Sequence, residues 1–377
     1  MKKVVFVLPR MGLGGVERSF LELIRHAPRQ EWDVTLILLA SGGELREDIP
    51  EWIHIRYAST GGGAEALRSN ISEMLKKLRM QRLFTVAKSV YHWLGPKLKH
   101  HRDHETFDVA VAYSDGLATW YAADAIMAKK KVAFVHTDFL RAGYDACSER
   151  SIYQKFQMIY FGSAQSRQHF LDVLPEFSAK TGLLPNYVDK ERIRLLSRER
   201  CEHLNEASTR LITVSRLSPE KGVGKIPMLL NRLRADSIPV HWYVIGSGSE
   251  EAYLKAEAAR LDVERDLTLL GQKKNPYPYM AQCDIYVQPS NYEGYCIALA
   301  EARALKLPCV ACAFSGAAEQ IDNGVTGFVT GMDVADLYEK LKPLVESEDL
   351  RKEFRRNLAA EKHGSQLEVF VSWWQSL

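Results

Sequence analysis

Two doubly wound α/β domains are the architecture this sequence predicts, and three observations lead there. A chain of 377 residues is longer than one hydrophobic core usually serves, so domains of about 150–200 residues are expected. Short apolar runs alternate with stretches of helical periodicity in two successive blocks, the pattern of buried parallel strands joined by crossover helices. In both blocks the runs end in loops of glycine or charged residues, and sheets of this kind bind ligands at those strand ends.

Composition narrows the class. An apolar fraction of 46% with 26% charged residues is that of a globular protein, which argues against disorder. No run reaches the roughly 20 apolar residues that a membrane-crossing helix needs. Met1-Lys2-Lys3 followed by Val4–Leu8 has the charge order of a signal peptide, but Pro9 and Arg10 cut its apolar part short, and a first buried strand is the expectation. Six cysteines without paired spacing fit a cytoplasmic chain. Cys309-x-x-Cys312 reads either as a redox pair or as two core thiols. The net charge of +3 is uneven: residues 1–185 carry 25 Lys and Arg against 20 Asp and Glu, and the remainder carries 25 against 27. A basic first half suits an anionic partner or a membrane surface. No nucleic-acid-binding element accompanies it, and a nucleic-acid partner is not expected.

In the first block, Val4–Leu8 runs into Arg10-Met11-Gly12-Leu13-Gly14-Gly15-Val16-Glu17-Arg18, after which Val16, Phe20, Leu23, Ile24 and Ala27 mark a helix. Gly14 and Gly15 either let a ligand meet backbone amides at the helix start or serve a tight turn. The spacing is not G-x-G-x-x-G, which weakens a dinucleotide reading. Strands are expected at Val34–Leu39 and Ile53–Arg56, then a glycine loop at Ser59–Gly63 and a helical segment to Leu78. Residues 74–102 interleave eight Lys and Arg with apolar residues including Trp93, and they read either as basic amphipathic helices at a membrane interface or as ordinary helices with a solvated face. Phe107–Ala112 is the next strand, followed by Tyr113-Ser114-Asp115-Gly116 and a helix over Leu117–Ala128. The strand Lys131–Val135 delivers His136 to its C-terminal end, where a histidine has either a ligand-contacting or a structural role.

The second block opens with the strand Arg210–Val214 and the loop Ser215-Arg216-Leu217-Ser218-Pro219-Glu220-Lys221-Gly222. Two cations on one such loop can hold a diphosphate and stabilise charge on a leaving group. Val240–Ile245 ends in Gly246-Ser247-Gly248, and Leu267–Leu270 ends at Gly271, beyond which Lys273 is a candidate ligand contact. Pro289–Glu301 reads P-S-N-Y-E-G-Y-C-I-A-L-A-E and joins a strand end to a helix start. Its carboxylates, Glu293 and Glu301, can accept hydrogen bonds from sugar hydroxyls, and Gly294 admits close backbone approach. Helices are expected at Asp333–Val345, Leu350–Ala360 and Gln366–Leu377.

These motifs resemble the retaining glycosyltransferases of family 4, which have the GT-B architecture of two Rossmann-like domains facing a central cleft. The shared features are E-x7-E at Glu293 and Glu301, S-R-L-x-x-E-K-G at 215–222, I-G-x-G at 245–248, the Gly14-Gly15-Val16-Glu17 loop and Pro185-Asn186-Tyr187-Val188-Asp189. The resemblance implies an acceptor-side domain at 1–186, a linker at 187–208, a donor domain at 209–362 and a terminal segment at 363–377 that crosses back to the first domain. It also implies a donor site in which Arg216 and Lys221 hold the diphosphate and Glu301 takes the ribose. Glu293, with the amides of Gly294, Tyr295 and Cys296, positions the sugar. Gly246 and Gly248 lie beneath the nucleotide, Gly14 and Gly15 line the cleft by the donor phosphate and the acceptor, and Lys273 lies near the base. Asp115, His136 and Trp93 are the acceptor-side candidates, with His136 near the transferred sugar.

Two departures stand out: Cys296 where relatives carry Gly-Phe-Gly or similar after the first glutamate, and Gly316-Ala317-Ala318-Glu319 where they carry G-G-x-P-E. The implied activity is a metal-independent hexosyl transfer from a nucleoside-diphosphate sugar, UDP favoured, to a glycan or lipid-linked acceptor of a bacterial surface polysaccharide. No cofactor is required. The implied location is cytoplasmic, with residues 74–102 meeting the inner membrane face. The competing reading from another class is a non-catalytic nucleotide- or glycan-binding partner subunit, against which the retained Arg216, Lys221, Glu293 and Glu301 speak. A phosphorylase-like enzyme would carry a pyridoxal-phosphate lysine motif, and none is seen.

Overall fold

The computed structural model describes residues 1–58, 105–205, 208–361 and 366–377, and the account below concerns these. Residues 74–102 with Trp93, and the loop and helical segment expected from Ser59 to Leu78, lie outside them. The chain divides into two compact units, Met1–Pro185 with Leu367–Leu377, and Asn186–Gln366.

The first unit holds seven parallel strands: β1 (Lys2–Leu8), β2 (Trp32–Leu38), β3 (His54–Tyr57), β4 (Thr106–Ala112), β5 (Met127–Val135), β6 (Met158–Phe161) and β7 (Thr181–Leu183). Their order is β3-β2-β1-β4-β5-β6-β7, so the winding reverses between β1 and β4. Val4–Leu8 is wholly buried, as a central parallel strand covered on both faces must be. The helix Gly15–Arg25 lays Phe20, Leu23 and Ile24 against it, and Phe6, Phe20 and Tyr113 meet edge to face.

One element differs from expectation. The helix after Gly116 stops at Asp124, and β5 starts four residues earlier than Lys131. Lys131 Nζ donates to the carbonyls of Ala122 and Ala123 at 2.9 and 2.7 Å, closing the helix end, while Lys129 pairs with Asp108 at 2.7 Å on the neighbouring strand. Those charges belong to a strand whose first half lies at the solvated rim of the sheet.

The helix Gln366–Ser376 completes this unit. Trp374 is fully buried, with its ring 5.7 Å from Phe6 and 5.8 Å from Trp32, and its indole N–H donates to the Leu23 carbonyl at 3.3 Å. Trp373 packs 5.4 Å from Phe134.

The second unit holds six parallel strands: β8 (Thr209–Val214), β9 (Val240–Ile245), β10 (Leu267–Gly271), β11 (Ile285–Gln288), β12 (Cys309–Cys312) and β13 (Gly327–Thr330). The order is β10-β9-β8-β11-β12-β13, with the reversal between β8 and β11. Leu211, Trp242, Val244, Ile285, Val287 and Val310 form its centre. Residues expected to be a linker contribute to this core: Val188, Ile193 and Leu204 are buried in it, and the helix Lys190–Leu196 covers one side. Cys309 and Cys312 are buried core thiols, and all six cysteines are free.

Candidate functional site

The reversal between β8 and β11 opens a crevice at the C-terminal strand ends, and it is there that the two predicted donor loops meet. β8 leads into 215–222 and β11 into 289–293. A one-turn helix at Pro219–Lys221 ends on Gly222 in the left-handed region, φ 60°, and a Cβ on Gly222 would lie 2.2 Å from the Pro289 carbonyl oxygen. Only glycine permits this approach. Asn291 ties the loops from the other side, its N–H donating to Glu220 O and its side-chain amide to Pro219 O, both at 2.8 Å. Lys225, at the start of the following helix, donates to Pro289 O at 2.9 Å and Asn291 Oδ1 at 2.8 Å.

Across this seam Lys221 Nζ meets Glu293 Oε2 at 2.6 Å, with both side chains mostly shielded from solvent. Ser290 donates to Glu293 Oε1 at 2.9 Å. Arg216 is largely exposed, its guanidinium 3.4 Å from Glu220, and the neighbouring Ser215 hydroxyl is enclosed with no partner among the described residues. Gly246 and Gly248 lie under the same loop: a Cβ on either would fall 1.8 Å from Ser215 O or 2.2 Å from Leu217 O. These glycines therefore let the 215–217 backbone rest on the β9 end, where Leu217 N–H donates to Ser247 O at 2.9 Å.

Glu301, buried in the helix Ile297–Ala304, accepts from the Tyr277 hydroxyl at 2.7 Å. Cys296 precedes that helix with φ 71°, a left-handed conformation in which glycine is at ease and a side chain is strained. Burial and the nearby Glu293 carboxylate push its thiol well above the usual range. Tyr295 is pushed up to about 12 by burial, and its carbonyl accepts from the Gln320 amide. Gln320 closes the 315–319 loop, where Gly316 alone takes a positive φ, 83°, and Ala317 already begins a helix. The missing second glycine thus costs no backbone strain. Lys273 stands 5.0 Å over the Tyr279 ring.

In the first unit, Gly14 caps the helix Gly15–Arg25 below β1, and the neighbouring ends of β4 and β5 bring Asp115 and His136 together. His136 N–H donates to Asp115 Oδ1 at 2.9 Å. Burial raises the Asp115 carboxyl to about 7 and lowers the His136 imidazole to about 4, each toward its uncharged form. The His136 ring lies 5.9 Å from Phe134, nearly parallel to it, and its Nε2 is enclosed without a partner among the described residues. Among the described residues no group of three or more His, Cys, Asp or Glu could hold a metal ion, and no helix is long and apolar enough to cross a membrane.

Sequence reasoning picked out Arg216, Lys221, Glu293 and Glu301 but missed Tyr277, which holds Glu301, Lys225 and Asn291, which tie the two loops together, and Gln288, which reaches Glu293 through Ser290. The one signal present was Gln288, a polar residue directly after the apolar run Ile285–Val287 and just ahead of the Pro289–Glu301 motif.

Comparison with known proteins bears on the fold and the family. Residues 199–361 match the family model described as Glycosyl transferases group 1, and residues 13–192 match Glycosyltransferase Family 4. A Campylobacter jejuni N-acetylgalactosamine-N,N'-diacetylbacillosaminyl-diphospho-undecaprenol 4-alpha-N-acetylgalactosaminyltransferase is 27% identical over 195 residues, 50% of this chain and 52% of the relative. The amylovoran biosynthesis glycosyltransferase AmsK of Erwinia amylovora is 33% identical over 32% of this chain and 31% of its own. The matched region thus spans about half or less of these curated relatives. The crystal structure of Anabaena HepE in complex with UDP and glucose superposes with a TM-score of 0.70 at 18% identity, covering 100% of this chain and 98% of that one. TarM of S. aureus superposes at 0.73 with 13% identity, covering 100% and 99%. The architecture is the GT-B fold, and the chain is related to the glycosyltransferases that the two family models describe.

Proposed function

We infer that the chain transfers a hexosyl group, with retention of anomeric configuration, from a nucleoside-diphosphate sugar to a glycan or lipid-linked glycan acceptor of a bacterial surface polysaccharide. A UDP-sugar is the favoured donor. The observation that carries this reading is the shielded Lys221–Glu293 pair at the reversal point of the second sheet. An arriving diphosphate offers Lys221 a stronger anion and releases Glu293 to accept hydrogen bonds from the sugar. Arg216, exposed on the same loop, supplies the second cation. Together these charges stand in for a divalent ion and stabilise the leaving phosphate. Glu301, held by Tyr277, accepts from the ribose, and Lys273 approaches the base.

The reaction needs no enzyme nucleophile. The leaving phosphate takes the acceptor proton on the same face of an oxocarbenium-like sugar, so placement and charge stabilisation carry the rate. In the first unit His136, neutral over most of the pH range, is the candidate to contact a sugar hydroxyl or carbonyl, and Gly14 and Gly15 leave room for a ligand at a helix start. Residues 74–102 are proposed to meet an anionic membrane surface on the cytoplasmic side, a role that sedimentation with anionic liposomes at low salt tests directly.

Calorimetry against UDP, GDP, ADP and their sugars decides the donor reading. Binding of one nucleotide and its sugars is expected, with transfer that survives EDTA and a product whose anomeric NMR coupling matches the donor. An inverted product or absence of nucleotide binding overturns it.

A further inference from the structure

Tyr286, Gln288 and Ser290 occupy alternate positions at the end of β11 and project to one side of it. All three are wholly buried. The Tyr286 hydroxyl bonds Gln288 Oε1, Gln288 Nε2 bonds Ser290 Oγ at 2.7 Å, and Ser290 Oγ bonds Glu293 Oε1 at 2.9 Å. Lys221 occupies Glu293 Oε2.

The chemistry of the last member fixes the direction of the whole chain. A carboxylate only accepts, so Ser290 donates its proton to Glu293 and must itself accept from the Gln288 NH2. That turns the Gln288 carbonyl toward Tyr286, which must donate. A flipped amide would need the Ser290 proton for Gln288 and leave Glu293 without it. A buried glutamine in a parallel strand is costly unless both ends of its amide are satisfied, and here each end is used by the chain. An apolar residue would fill the place more cheaply, which says that the glutamine serves the carboxylate rather than the packing.

We propose that Gln288 and Ser290 are positioning residues that aim the Glu293 carboxylate at the donor sugar, through a one-way hydrogen-bond chain anchored at Tyr286. The proposal rests on the donor-site reading above. Once the diphosphate has drawn Lys221 away from Oε2, the Ser290 bond to Oε1 still fixes the plane of the carboxylate and leaves Oε2 for the sugar, and an aimed acceptor discriminates sugar hydroxyls where a rotating one does not.

The test separates the sugar's share of binding from the nucleotide's. Calorimetry measures Kd for UDP and for UDP-glucose, UDP-galactose, their N-acetyl forms and UDP-glucuronate, with GDP and ADP counterparts if UDP does not bind. The variant is the double substitution Tyr286→Phe with Gln288→Met, which keeps shape and leaves neither side chain with an unmet polar group. Nucleotide Kd is expected to stay within about twofold, while the extra affinity contributed by the sugar falls about tenfold. An unchanged ratio of nucleotide-sugar to nucleotide affinity in the folded variant overturns the positioning role and leaves the donor reading intact. So does a wild-type protein that binds nucleotide with no contribution from any sugar. A wild-type protein that binds no nucleotide overturns both. Should the double variant not fold, Ser290→Ala is read by the same ratio with the same consequences.

Discussion

Lys221 and Glu293, 72 residues apart in sequence, hold each other at 2.6 Å across the seam of the two donor loops. The pair gives the two substitutions opposite signatures toward nucleotide. Lys221→Ala removes one of the diphosphate's two cations, and the UDP-induced rise in Tm is expected to fall well below that of the wild type. Glu293→Ala leaves a shielded lysine without its counter-ion, so the ligand-free protein loses about 1–3 kcal/mol while UDP stabilises it more than it does the wild type. Turnover falls at least about 100-fold in both. Thermal shift with and without UDP reads the difference, and equal UDP shifts in the two variants would refute the exchange of carboxylate for diphosphate.

The Tyr277 hydroxyl orients Glu301 at 2.7 Å from 24 residues away. Removing it by Tyr277→Phe is expected to weaken UDP binding by about 1–2 kcal/mol, roughly 5- to 30-fold in Kd. The effect belongs to the ribose, so a 2'-deoxyribose nucleotide should show much less of it. Calorimetry of the two nucleotides on wild type and variant settles the point.

Asp115 and His136 titrate against one another. Asp115, raised to about 7 by burial, keeps a proton in the folded state that the unfolded chain gives up near pH 4, so its contribution to stability is lost as pH rises from 4 to 7. His136, lowered to about 4, stays neutral when folded while the unfolded imidazole protonates below about 6.5, so its contribution is lost as pH falls from 6.5 to 4. The two slopes, each up to about 1.4 kcal/mol per pH unit, cancel over that window. Asp115→Asn should therefore uncover stability that climbs with pH from 4 to 6.5, and His136→Gln stability that declines from 4 to 7. Urea melts across the range test both signs; parallel pH profiles for the two variants would contradict the assignment.

Cys296 pays a backbone cost that its replacement can remove. At φ 71° any L side chain is strained by about 1 kcal/mol, and glycine is not. Cys296→Gly should be more stable than Cys296→Ala by about 1 kcal/mol, the reverse of their usual order. Denaturant midpoints of the two variants decide it, and alanine the more stable would count against the strain.

Part of the candidate site was legible in the sequence, because Lys221 and Glu293 sit in loops that directly follow strand ends, and the structure brings the two together. The helpers were not. Tyr277 and Glu301 lie on different helices, and only the packing of one beside the other brings hydroxyl to carboxylate. Gln288 is the last residue of its strand, and a polar residue at a strand end gives no sign that it is buried. Gly246 and Gly248 are expected from the sequence to line a nucleotide, and the contact their missing side chains permit in the structure is with the 215–217 backbone. In the fold, the lysines at 129–131 concealed the start of β5, since charge at a solvated rim looks the same as charge at a helix terminus. Val188, Ile193 and Leu204 were too widely spaced among charged residues to announce themselves as core.

Trp374, wedged between Phe6 and Trp32, sets an order on biogenesis. During translation the first sheet must wait, with an apolar face uncovered, while every strand of the second is made. The second unit, continuous in sequence, can fold as soon as it emerges, but the first is finished only when residues 366–376 have been synthesised. A ribosome stalled anywhere between β7 and that helix therefore carries a nascent chain with an exposed aromatic surface, a natural target for chaperones.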